Sequence, residues 1–179
     1  MDEDLKLLYD IIETGHIPEI NLYMDQITTF MEEKLENHKR NKTDKIITKT
    51  MINNYTKDKI LPPPIRKKYT PEQLMLLIII FHIKPVLSMS DIGRIIGSGQ
   101  QNAMGSRDLY NLFVQIQKSE SEHVTDMLKR MHETVHDVID KGNTDKDKKF
   151  EAIAMALYLA LDSAYKKSLA EQIIDLYLS

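Results

Sequence analysis

The hydrophobic residues of the chain recur mostly at intervals of three and four, which predicts a helical protein. The pattern predicts helices at 4–13, 22–36, 49–57, 71–84, 91–96, 150–165 and 167–178, and a long amphipathic segment over 106–141. Helix 71–84 is apolar nearly all round, so we expect it at the centre of a core. Only 65–69 has the pattern of an extended stretch.

Polar and proline residues mark where several of these helices begin. Thr48 is a predicted N-cap for helix 49–57, and Thr70 followed by Pro71 is a strong start for helix 71–84. The consecutive prolines at 62–64 exclude helix between them, because proline lacks the backbone donor. We therefore expect a short helix, a proline-rich turn and a second helix in succession.

The glycine- and glutamine-containing stretch 98–105 predicts a connector between two domains. The first domain would comprise 1–97, with an N-terminal helix, and the second 106–179, with three helices. The expected fold class is all-α, with at most a short β wing in the first domain.

Composition places the chain among globular proteins of a reducing compartment. Its 179 residues include no Cys, which excludes disulfides, thiolate zinc sites and cysteine nucleophiles. The acidic N-terminus and the absence of a long apolar run predict neither a secretory signal nor a membrane span. We expect a soluble, cytoplasmic protein with no membrane partner.

Charge changes this picture, because one segment differs in sign from the rest. Residues 34–68 contain eleven basic and three acidic residues, a net charge of +8 in a chain whose total is −3. A basic block in an acidic protein favours a polyanionic partner, although a solvated lysine-rich loop has the same composition.

The order of elements over 22–96 is that of a winged helix-turn-helix: a bracing helix, a short second helix, a basic extended segment and closing helices. On the short helix, Lys49, Thr50, Asn53 and Asn54 are predicted to face outward. Asparagine pairs with adenine in the major groove, so adjacent Asn53 and Asn54 suit base recognition. Double-stranded DNA is the partner that this pattern favours.

The stretch 48–57 followed by Ile60-Leu61-Pro62-Pro63, and later Arg66-Lys67-Lys68-Tyr69-Thr70-Pro71-Glu72, resembles the DNA-binding domain of MerR-type regulators. The resemblance implies that Tyr55 contacts a phosphate and that Lys67 takes the place of a wing arginine. It extends the DNA-binding set to the following residues: Lys49, Thr50, Asn53, Asn54, Tyr55, Lys57, Arg66, Lys67, Lys68 and Tyr69. The loop at 37–47 is longer than the tight turn of that class.

A closer resemblance involves three sequence segments: Leu22-Tyr23-Met24-Asp25-Gln26, 48–55 and Lys67-Lys68-Tyr69. These look like domain-of-unknown-function family 1836 of Gram-positive bacteria, over about 17–96. The resemblance to MerR-type regulators implies a transcriptional regulator, whereas the resemblance to the family of unknown function supports the fold more than the activity. Such proteins commonly act as homodimers, with the long helix near 109–139 contributing to the dimer contact or to a cleft for a small-molecule or protein effector.

The sequence leaves two alternatives to DNA binding open. A non-enzymatic protein-interaction module would use the C-terminal helices. A zinc hydrolase would use His132-Glu133-x-x-His136, with Glu151, His123 or Asp140 as third ligand. The zinc hydrolase is the remote alternative, because Asp137 follows the motif and no predicted strand precedes it. No nucleotide-binding loop occurs, so we expect no cofactor and no enzymatic activity.

Overall fold

The computed structural model describes residues 11–101, 103–141 and 148–178, and the described chain is mostly helical. Its elements are β1 (Leu22–Tyr23), α1 (Met24–Lys34), α2 (Lys49–Lys57), β2 (Lys68–Tyr69), α3 (Pro71–Ile83), α4 (Met89–Gln101), α5 (Ser106–Glu122), α6 (Val124–Lys141) and α7 (Lys148–Tyr177). Most of the helix predicted at 4–13 lies outside the described residues. Among those described, no helix is long and apolar enough to cross a membrane.

The one sheet of the described chain consists of two short antiparallel strands. Leu22 of β1 pairs with Tyr69 of β2, and Tyr23 pairs with Lys68. The helix predicted from 22 therefore begins two residues later, at Met24. Buried Leu22 beside exposed Tyr23 is the alternation of a strand. The Tyr23 N–H donates to Gln26 Oε1 at 2.9 Å, which caps the start of α1.

Helix α3 forms the centre of the first core, as its all-round apolar sequence predicted. Nine of its thirteen residues are buried. The surrounding helices contribute the following side chains: Ile27 and Met31 from α1, Ile52 and Tyr55 from α2, and Tyr110 and Val114 from α5. Each fully buried aliphatic side chain contributes about 1.5–3 kcal/mol, so this packing fixes where α1 and α2 lie on α3.

A single buried amide fastens the proline-rich turn to the start of α3. Gln73 and Thr70 form a capping box, with the Thr70 N–H donating to Gln73 Oε1 at 2.8 Å and the Gln73 N–H donating to Thr70 Oγ1 at 3.3 Å. Gln73 Nε2 also donates to the carbonyl oxygens of Pro62 at 2.7 Å and Pro63 at 3.1 Å. The side chain is only 5 % exposed. It therefore links the segment that follows α2 directly to the core helix.

The described chain divides into two compact units, one comprising the residues up to Lys118 together with Leu178, and the other comprising Ser119–Tyr177. This division lies beyond the predicted connector 98–105, part of which is helical because α4 continues to Gln101. The reason is the burial of α5 in the first unit. Tyr110 donates to the Ile12 carbonyl at 2.6 Å, and Val114 packs in the same core.

The second unit pairs α6 with α7 through Met131, Val135, Ile139 and Met155. The predicted three helices differ here: the segment 106–141 is divided at His123, and the helices predicted at 150–165 and 167–178 form one helix. At the division, the His123 N–H bonds to Glu120 O, only three residues back. Helix α7 continues through 166 because no helix breaker occurs there. The ion pairs Asp162–Lys166 and Lys167–Glu171, each four residues apart, support it.

Candidate nucleic-acid interface

Helix α2 has the bounds and the cap that the sequence predicted. Thr48 Oγ1 accepts from the Met51 N–H at 3.2 Å. Ile52 and Tyr55 are buried. The opposite face carries the exposed polar side chains Lys49, Thr50, Asn53, Asn54 and Lys57. The helix is therefore held from one side by its apolar residues and presents amides and cations from the other.

The segment after the prolines is a two-residue hairpin turn. Ile65 and Lys68 exchange both backbone hydrogen bonds, at 2.8 and 3.0 Å. The central residues, Arg66 and Lys67, have φ angles of 50° and 65°. This is the pattern of the turn that favours Asn-Gly, and a left-handed backbone costs a non-glycine residue about 1–2 kcal/mol. Two exposed cations thus occupy strained positions, which is typical of residues retained for function.

The strand pair brings the turn next to the start of α2. The Lys68 ammonium lies 4.8 Å from the centre of the Tyr23 ring, across the β1–β2 pairing. Two residues after Tyr23, the Asp25 carboxylate forms an ion pair with Lys49, the first residue of α2. The N-terminal end of α2 and the basic turn therefore flank one short segment, 23–25. We call the exposed residues of α2 together with Arg66 and Lys67 the basic face.

Two tyrosines of the predicted set lie away from the basic face. Tyr55 is 4 % exposed and Tyr69 is 2 % exposed, and both belong to the core of the first unit. Burial raises the pKa of the Tyr69 phenol, partly offset by a hydrogen bond with Thr56. The resemblance placed Tyr55 at a phosphate contact and Tyr69 in the DNA-binding set, but both rings are packed in the core and neither contributes to the exposed surface. Their residue type alone did not distinguish contact from packing.

The long loop between α1 and α2 is fastened by Glu32, whose part in holding the loop the sequence did not predict. Its carboxylate accepts from the Ile46 N–H at 3.0 Å and pairs with Lys39 at 2.6 Å. Burial alone would raise the pKa of Glu32, but the hydrogen bonds from Lys39 and Ile46 hold it below the ordinary value. The Glu32 carboxylate would repel a phosphate if it faced one, but here it is paired with residues of the loop. The sequence feature that could have identified Glu32 is an acidic residue that precedes a basic loop.

We expect Glu32→Gln to destabilise the protein at neutral pH by about 1–2 kcal/mol, since a charged hydrogen-bond acceptor is lost. A depressed folded-state pKa contributes stability above the unfolded value of about 4.3, and that contribution is lost as pH falls. The difference in urea-unfolding free energy between wild type and Glu32→Gln should therefore shrink from pH 7 to about pH 3. Glu33→Gln, at the exposed neighbour, should show no such trend. A difference independent of pH would refute the assignment.

The His-Glu-x-x-His segment lies on α6. His136 Nε2 is 3.6 Å from Glu151 Oε1 on α7, so one of the three proposed third ligands lies beside the motif. Within the described ranges, no group of three or more His, Asp or Glu side chains is arranged to hold a metal ion. His132 is half-buried, whereas His136 is exposed. The pair His136–Glu151 links α6 to α7 in the second unit.

These features define a helical domain with an exposed polar helix beside a tight basic turn. The chain belongs to the family of the domain of unknown function DUF1836, whose model matches residues 12–116. The matched range ends within α5, close to the end of the first compact unit at Lys118. The resemblance to this family is thereby confirmed. No curated protein and no solved structure matches the chain.

Proposed function

We propose that the protein binds double-stranded DNA as a MerR-like transcriptional regulator. In this proposal α2 enters the major groove with Asn53 and Asn54 towards the base edges, and the Arg66–Lys67 turn contacts a phosphate. The observation that carries the proposal is the basic face. In it, the exposed asparagines of α2 lie near the two cations of the strained turn, and the pairing of β1 with β2 holds that turn in place.

The order of elements supports this proposal. A strand precedes the bracing helix α1 and pairs with the strand that follows the turn, while α3 closes the core. In a winged helix-turn-helix, the same order presents the second helix to the groove and the turn to the backbone. The connection from α1 to α2 is long for this class. The hydrogen bond from Ile46 to Glu32 holds its far end against α1.

The side-chain chemistry is suited to DNA. Amides pair with adenine through two hydrogen bonds, and each good pair contributes about 1–3 kcal/mol of discrimination. Lysine at 67 acts as a point charge on phosphate, without the fork of arginine. Arg66 beside it supplies the planar donor. The exposed carboxylate of Asp25 limits affinity, because Lys49 must leave it to reach a phosphate.

The proposal is tested by selecting random-sequence duplexes on the full-length protein at near-physiological salt. We expect a discrete set of sequences. Neutralising about six phosphates would give a log–log salt slope near −5. Retention of bulk DNA without enrichment, with binding lost at moderate salt, would refute sequence-specific recognition.

The base-reading residues have their own prediction. Asn53→Ala and Asn54→Ala should each lower the preference for the selected sequence by about 5–150-fold, while binding to unrelated DNA stays the same. Gln115→Ala is a matched control, because Gln115 is an exposed amide on α5. Equal effects on selected and unrelated DNA would mean that these residues do not read bases.

A further inference from the structure

A cavity of about 180 Å³ lies on the packed side of α2, within the first unit. Met51 and Tyr55 of α2 form part of its lining, and Ile46 and Ile47 of the preceding loop form another part. Phe81, near the end of α3, contributes a further apolar side chain. Protein interiors contain few voids larger than a water molecule, so a cavity of this size is not ordinary packing. It is bounded by both the helix of the basic face and the central helix of the core.

Two aromatic rings in this lining are held in place by their neighbours. Tyr55 is buried in the core of the first unit. The Phe81 ring meets the His38 ring edge-on, with 5.6 Å between the ring centres. Aromatic walls favour a flat aromatic ligand, because ring pairs in edge or offset contact gain energy beyond the area that they bury. An apolar cavity of about 150 Å³ accommodates one benzene ring, so one ring matches the size of this cavity.

One cation lies at the mouth of the cavity. Lys84 and Pro85, directly after α3, are the exposed residues of the lining, so the cavity opens beside them. The Lys84 ammonium lies 5.4 Å from the centre of the Tyr55 ring. Lys84 is the one charged residue among those that line the cavity, and no carboxylate of the described chain pairs with it. The interior therefore favours an apolar group, whereas the mouth favours a negative one.

We propose that this cavity binds a small aromatic carboxylate, with the ring of the ligand against Tyr55 and Phe81 and its carboxylate beside the Lys84 ammonium. A cationic ligand would place two like charges at the mouth, and the basic segment 34–68 would repel it further. The cavity is distinct from the effector cleft expected near 109–139. The proposal does not rest on the proposed DNA binding, because ligand binding is measured without DNA.

Isothermal titration calorimetry of the full chain with benzoate, at neutral pH and constant ionic strength, tests the proposal. We expect one site per chain with a dissociation constant on the order of 0.1–1 mM, which is the range for a ligand of about nine non-hydrogen atoms. Benzyl alcohol, which has the same ring without the charge, should bind more weakly. The absence of saturable benzoate binding up to about 10 mM, or equal affinity for the two ligands, would overturn the proposal.

The part of Lys84 is tested by a variant that keeps the apolar stem and removes the charge. Lys84→Met should lower the affinity for benzoate about five-fold, while the affinity for benzyl alcohol stays the same. Lys34→Met is the matched control, because Lys34 is also an exposed lysine at the end of a helix but does not line the cavity. Circular dichroism verifies that both variants remain helical. Equal loss of benzoate affinity in both variants would show that only net charge matters and would overturn the assignment.

The location of the ligand is tested by nuclear magnetic resonance of the methionine methyl groups. Benzoate should shift the signal of the Met51 methyl group, because Met51 lines the cavity and an aromatic ring shifts the signals of groups in contact with it. The signal is identified by its loss in Met51→Leu. Met104 is the control, since it is also half-buried but lies outside the cavity lining. Saturation of the protein with benzoate without a shift at Met51 would place the ligand elsewhere and would overturn the proposal.

Discussion

The double variant Arg66→Glu, Lys67→Glu is expected to lower DNA affinity by at least about a hundred-fold and to make the salt slope shallower by about 2. Both residues are exposed at the tip of the hairpin turn, so the change removes two cations and places two carboxylates beside phosphate. Fluorescence anisotropy at several salt concentrations measures both quantities. The matched control is Lys148→Glu, Lys149→Glu, an equal charge change at exposed residues of the second unit. Equal losses in the two variants would mean that only net charge matters.

The strain of the turn allows a second, independent measurement. Lys67 has a φ of 65°, which glycine adopts without steric cost. Lys67→Gly should therefore raise the free energy of unfolding by about 1 kcal/mol while it weakens DNA binding. A change that stabilises the fold and weakens binding cannot be explained by damage to the fold. If Lys67→Gly left affinity unchanged, the cation at this position would have no part in recognition.

The second large effect is expected at Gln73. Gln73→Leu should lower the free energy of unfolding of the first unit by about 2–4 kcal/mol, because the Pro62 and Pro63 carbonyls and the Thr70 N–H each lose a hydrogen bond. Circular dichroism in urea measures the change.

Gln26 provides the control within the same chain. It also accepts from the N–H three residues before it, at Tyr23, but it is exposed. Gln26→Leu should cost no more than about 1 kcal/mol, because water can replace that one bond. If the two variants were equally destabilised, the bonds from Gln73 to the proline-rich turn would contribute nothing measurable.

The sequence predicted the elements whose signals are local. The Thr48 cap immediately precedes the helix that it starts, and α2 has the predicted bounds. Strand β1 was missed because its two residues are fixed by pairing with β2, 45 residues later in the chain. Local pattern also did not reveal that the first compact unit extends to Lys118. Nothing near 98–105 indicates that Tyr110 reaches back to Ile12.

The candidate surface was predicted only in part, for a similar reason. The exposed positions of α2 follow from helical periodicity and agree with the structure. Tyr55 and Tyr69 were included in the DNA-binding set because of a resemblance, and a resemblance gives residue types but not their burial. The ion pair of Asp25 with Lys49 depends on how α1 and α2 pack, which no spacing within either helix reveals.

The central position of α3 has a consequence for the unfolded chain. Its eight residues 74–81 contain no charge and no proline, and they include three consecutive isoleucines. Such a segment is harmless while it is buried, but it is typical of sequences that assemble into intermolecular β-structure when exposed. Glu72, Lys84 and Pro85 flank it as residues that oppose such assembly. Variants that unfold the first unit should therefore aggregate. A fall in the amount of soluble protein would then be seen before a change in circular dichroism.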